Sequence, residues 1–174
     1  GRRPDVIALN PETLEDVLDD HLTVGAAVKR AADAGETVAR LRERLFRAEE
    51  HVNPYTDGPV VGFLEWTDPL YIAGHWTVEM IERAGGRHPL NETTPKRPVD
   101  GAAIGPQRGA RVAGKSVVAP AELFAATLPD RIVVAPCGLS LDQAIAEPRW
   151  LLAQPWFAET PAAKRGQIAV VDGS

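Results

Sequence analysis

Cysteine is almost absent. Cys137 is the one thiol in 174 residues, so no intrachain disulfide can form; many exported proteins lack disulfides too, so the compartment stays open. Histidine is sparse, and His21, His51, His75 and His88 are scattered without the close spacing of a metal site. No apolar run approaches the ~20 residues that a membrane-crossing helix needs. Lys and Arg total 19 against 24 Asp and Glu, a net charge of −5. They nowhere cluster densely enough to neutralise a row of phosphates, which argues against a nucleic-acid partner. Gly-x-Ser-x-Gly, a P-loop and a post-strand Gly-x-Gly-x-x-Gly are all missing, so the common hydrolase and nucleotide-binding chemistries have no anchor. What remains is 44% hydrophobic and 25% charged, the profile of a soluble globular chain. The length suits one domain, or one large lobe with attached elements.

Apolar periodicity organises the chain. Val6-Ile7-Ala8-Leu9 reads as a strand covered on both faces. Asn10 and Pro11 suit an N-cap and a first helical position, and Leu14, Leu18 and Leu22 recur at i+4, which predicts a helix over 11–28. A second helix is predicted over 33–52, with Val38, Leu41, Leu45, Ala48 and Val52 as its stripe. Glu36–Arg40 and Glu43–Arg47 make i,i+4 pairs on its wet face. The Ala-rich stretch after Gly25 is a kink or a break. Val60–Glu65 is a buried-strand candidate, Trp66–Gly74 a loop and 75–84 a helix ended by Gly85-Gly86. Residues 87–117 show no period and read as a long irregular segment. Pro120 opens a short helix to Leu128. Arg131–Ala135 is a third strand, Pro136–Leu139 a turn, and Ser140 with Gln143 the capping box of a helix over 141–153. Thr160-Pro161 starts one more helical turn before the strand Gln167–Val171.

Short apolar strands alternating with helices predict an α/β fold: a parallel sheet flanked by helices, one Rossmann-like lobe. The paired helices at 11–52 break the alternation and read as a rigid helical connector. The expected division is 1–52, the end of a preceding lobe plus a helical backbone, and 53–174, the α/β lobe. The ends, Gly1-Arg2-Arg3-Pro4 and Val171-Asp172-Gly173-Ser174, read as those of a piece of a longer protein.

In open parallel sheets, ligands bind beyond the carboxyl ends of the strands. Two loops fall there, Glu65–Gly74 and Ala135–Leu139. The first is dense in Glu65, Trp66, Asp68, Tyr71, His75 and Trp76, and aromatics at a loop tip suit a flat, partly apolar ligand. Trp66, His75 and Trp76 are expected around one concavity. The plainer reading is that the two Trp seal the sheet end. Cys137 in Pro-Cys-Gly reads as a small apolar filler rather than as the nucleophile of a dyad with His75, although both fall on sheet-end loops.

Phe63-Leu64-Glu65-Trp66-Thr67-Asp68-Pro69-Leu70-Tyr71-Ile72-Ala73-Gly74-His75-Trp76, with Glu79-Met80 and Ala84-Gly85-Gly86, resembles cobalamin-binding substrate-binding proteins of ABC importers. Those belong to the helical-backbone class of periplasmic binding proteins. Ile132–Gly138, Gly166–Gly173 and Ile7–Val17 fit the same family. The 92–115 segment departs from it, being longer and more basic. The resemblance implies two lobes joined by a long helix, with a corrinoid held between them and delivered to a membrane permease, and no enzymatic activity or resident cofactor. It implies a periplasmic or cell-envelope location, and a chain that holds the connector and the C-terminal lobe, without the N-terminal lobe and final helix. Ligand contacts would fall on Trp66, Asp68, Tyr71, His75 and Trp76, and on Cys137 and Gly138. The rivals are a haem- or ferric-siderophore-binding protein of the same class, and a chelatase-like or corrinoid-modifying enzyme. Residues 64–76 contain no Lys or Arg, which favours the neutral corrin over an anionic siderophore.

Overall fold

The computed structural model describes residues 5–95 and 111–173. In chain order the elements are α1 (Leu14–Ala27), α2 (Ala31–Glu49), β1 (Val61–Thr67), β2 (Leu70–Ile72) and α3 (His75–Arg83). Then follow β3 (Thr94–Pro95), β4 (Arg111–Val112), β5 (Val117–Val118), α4 (Ala121–Ala126) and β6 (Arg131–Val134). Last come α5 (Leu141–Ala144), α6 (Ala146–Leu152), α7 (Pro155–Ala158), α8 (Pro161–Lys164) and β7 (Ile168–Val170).

The main sheet runs β5-β2-β1-β6-β7. β1, β6 and β7 are parallel, as their uniform apolarity predicts, with Leu64 opposite Val134 and Val134 opposite Val170. β2 and β5 add an antiparallel side that the sequence reading passed over as loop. One face of the sheet, carrying Leu64, Ile72, Ile132 and Val134, packs on Phe124 of α4, Leu151 of α6 and Phe157 of α7. Trp156 closes this core edge-on, its ring 6.1 Å from Phe124 and 5.4 Å from Phe157. The other face, with Val61, Phe63 and Val133, meets Met80 and Ile81 of α3 across a cavity of about 360 Å³.

Three local expectations change and one left open is decided. Val6–Leu9 is not a strand; these residues are exposed and pair with no strand among the described residues. The first helix starts three residues late. Thr13, not Asn10, is its N-cap: Thr13 Oγ1 accepts from the Asp16 amide at 3.1 Å, and Asp16 Oδ2 accepts from the Thr13 amide at 2.9 Å. That reciprocal pair satisfies donors Asn10 would leave free. The stretch after Gly25 is a break, with Lys29 at φ 59° between α1 and α2. The 141–153 helix is split, since Pro148 inside α6 has no N–H for the Ala144 carbonyl and its ring crowds that group. The Gln143 side chain accepts from the Ser140 amide at 3.0 Å, as the capping box requires.

Glu43 pairs with Arg47 as expected, whereas Arg40 donates to Thr37 Oγ1 at 3.1 Å. The helical pair is fastened to α3 by Glu79, which accepts from the Leu14 amide at 2.8 Å and from Arg83 Nε at 2.9 Å. Of the 87–117 segment, residues 96–110 lie outside the described residues; its ends form the short β3–β4 ladder and β5.

Candidate ligand-binding site

β1 and β2 form a hairpin that reaches past the carboxyl end of β6. Trp66 stands opposite Tyr71 and Thr67 opposite Leu70, with a bulge between Leu64 and Trp66. Asp68-Pro69 makes the turn, through a cis peptide bond. Leu70 and Ile72 are buried in the core, so Tyr71 between them projects from the opposite face. Its cross-strand partner Trp66 shares that face, the one α3 covers further down. Both residues are 38% exposed. Trp66 Nε1 donates to the Asp68 carbonyl at 3.0 Å, which fixes the indole and leaves the Asp68 side chain in solvent. Below the hairpin, Thr67 Oγ1 donates to the Glu147 carboxylate, so α6 anchors its inner face.

The second sheet-end loop lies against the first. The Ala135 amide donates to the Leu64 carbonyl at 2.9 Å and the Cys137 amide to the Glu65 carbonyl at 3.1 Å. Gly138 takes φ 77°, where a side chain would be strained, and its amide donates to the Gly173 carbonyl at 2.8 Å. Cys137 is exposed, which corrects its reading as a filler: the turn carries the thiol away from the core.

His75 and Trp76 open α3. Their rings stand 5.8 Å apart at 34°. Trp76 lines a cavity of about 450 Å³ with Leu14, Leu18, Leu41, Leu45 and Met80, toward the helical pair, rather than joining Trp66. The aromatics therefore divide. Trp66 and Tyr71 make one exposed pair, and Trp76 faces α1 and α2 from α3, a packing role, though not the sealing of the sheet end. His75 is half-buried, beside the Trp76 ring.

Two residues here escaped the sequence reading. His88 is 2% exposed, with Nδ1 2.7 Å from the Val61 carbonyl. Burial lowers its pKa, against the opposing pull of the Val61 and Ala73 carbonyls and of Glu65 and Glu82. Asn91 donates to the carbonyls of Ala73 and Lys115, both at 3.0 Å. Both residues fall in the stretch without period, where position alone gives no signal. Among the described residues no three His, Cys, Asp or Glu side chains group as a metal site.

The layout of parallel strands, one covered face and a post-strand hairpin matches solved structures. The chain superposes on an ABC-type Fe3+-hydroxamate transport protein from Saccharomonospora viridis with a TM-score of 0.66 and 19% identity, over 94% of this chain and 49% of that one. It matches the periplasmic heme-binding protein of Roseiflexus sp. RS-1 with a TM-score of 0.64 and 22% identity, over 93% and 55%. It matches the periplasmic vitamin B12-binding protein of Vibrio cholerae with a TM-score of 0.60 and 15% identity, over 93% and 53%. The fold is that of a periplasmic-binding-protein lobe. The lobe spans about half the length of those structures. No family model and no curated protein matches the sequence.

Proposed function

We propose that this chain is one lobe, with its helical backbone in 1–52, of the ligand-binding component of an ABC importer. It acts outside the cytoplasm, is not an enzyme, and hands its ligand to a membrane permease. The ligand we favour is a corrinoid. One observation carries this reading: Trp66 and Tyr71 pair across the hairpin on one face, half-exposed, beyond the strands' carboxyl ends. A flat apolar macrocycle can stack there while Tyr71, Asp68, His75 and the Cys137-Gly138 turn meet its amide fringe. The absence of Lys and Arg from 64–76 weighs against an anionic siderophore. Haem is the second reading, favoured by the Tyr71 phenol, which can reach an iron already held in a macrocycle. The solved structures that this lobe resembles are named for binding and transport, which lends the chelatase rival no support.

The test titrates the two-lobed parent protein with cyanocobalamin, haemin and a ferric hydroxamate, reading Trp fluorescence and melting temperature. A corrinoid ligand quenches the fluorescence and raises the melting temperature, since binding the native state alone stabilises it. A response to haemin or the hydroxamate and none to cyanocobalamin at millimolar concentration overturns the corrinoid.

A further inference from the structure

His75 has φ 51°, a left-handed conformation uncommon for a residue with a side chain. Such a residue persists only where its surroundings over-determine it. The surroundings are specific. Gly74 lies so close to the next segment that a Cβ there would come 2.3 Å from the Ser116 nitrogen and 2.4 Å from the Lys115 carbonyl carbon. The His75 amide, left without a partner inside α3, donates to the Gly114 carbonyl at 2.9 Å. Asn91 ties these parts together. Its amide group donates to Ala73 and Lys115, and its oxygen accepts from the Gly114 amide at 3.1 Å. The direction of the carboxamide follows from the network, because the two carbonyls need donors and the Gly114 N–H needs an acceptor. Every strong bond of this side chain goes to backbone within two residues of His75, or to the segment that receives the His75 amide.

A turn alone would be served by glycine at no steric cost. A histidine held there, at the start of a helix rather than just past a helix C-cap as the left-handed Lys29 and Leu128 are, points to use of the imidazole, one residue before Trp76 and three after the end of β2. We infer that Asn91 is a positioning residue for His75, fixing the backbone from which the imidazole meets the ligand. This rests on the ligand-binding reading above. Asp at 91 keeps the acceptor for Gly114 and loses both donors; Ala loses all three bonds.

Backbone amide exchange followed by NMR on this chain tests the inference without any ligand. In Asn91→Ala the His75 amide should exchange about tenfold faster, the loss expected for one to two net hydrogen bonds, while the β6 amides keep their protection. Asn91→Asp, which sets a carboxylate oxygen against the Ala73 and Lys115 carbonyls, should speed exchange at least as much as Ala. Unchanged protection at His75, or equal acceleration in β6, overturns the inference. In the two-lobed parent, Asn91→Ala and His75→Ala should weaken chelate binding by the same factor, and the double variant by no more than either; additive losses overturn it. If the wild-type parent binds none of the chelates, the ligand reading falls, while exchange at His75 still decides whether Asn91 holds it.

Discussion

His88 shows how one buried side chain makes stability depend on pH. Burial depresses its folded pKa below the ordinary value of 6.5. The unfolded chain therefore binds the extra proton first as pH falls. The stability this group contributes is complete above about pH 6.5 and declines as pH drops from there toward the lowered folded value. Chemical denaturation at steps from pH 7.5 to 5 should show stability falling with a slope of at most about 1.4 kcal/mol per pH unit from this residue. His88→Gln should remove that component of the slope; an unchanged slope in the variant contradicts it. Leu64 tests the core at the same scale. It is fully buried where β1 passes between β2 and β6. Leu64→Ala should cost about 2–5 kcal/mol in a urea titration, as truncation there leaves a cavity that a two-sided sheet cannot collapse around.

At the scale of elements, the main helices and the parallel strands follow their sequence signals and the antiparallel strands do not. The i,i+4 leucines of α1 and the Ser140–Gln143 spacing are local signals and are read correctly to within a few residues. The start of α1 depends on which of two good caps the chain uses, and Thr13 wins because Asp16 answers it. Thr13→Ala should lower stability by about 1 kcal/mol, measured by thermal melting, while Asn10→Ala should leave it nearly unchanged. β2 lies directly after the Asp68-Pro69 turn and alternates buried, exposed, buried, so it lacks the uniform apolarity that marks the parallel strands, and its strand character comes from pairing with β1. Pro148 carried a legible signal: proline inside an otherwise helical pattern marks a break.

For the whole molecule, the proposed function makes ligand affinity depend on contacts from two lobes, of which this chain would supply one. Half the contacts do not offset the full cost of association, so this chain should bind cyanocobalamin weakly or not at all, while the two-lobed parent binds it measurably by fluorescence titration. In the parent, Trp66→Ala should weaken binding by about 1–3 kcal/mol if the ring stacks on the macrocycle. Trp76→Ala should act mainly on stability, because its ring packs against α1 and α2; a binding loss equal to that of Trp66→Ala, with the melting temperature unchanged, contradicts this division.

The sequence by itself determined the three parallel strands and the main helices. Their signals are local: uniform apolarity demands cover on both faces, and a 3.6-residue stripe demands a helix. It also marked Glu65–Trp76 as unusual, because aromatic density is visible in one dimension. Tertiary structure alone decided that Trp66 pairs with Tyr71 while Trp76 turns to the helical pair. A side chain's face depends on register, and the bulge in β1 resets that register. It alone decided the direction of β2, and that Asn91 reaches Ala73 and Gly114, contacts 18 and 23 residues away in sequence. Periodicity records how much of a segment is buried, not against what, and these contacts are matters of partner.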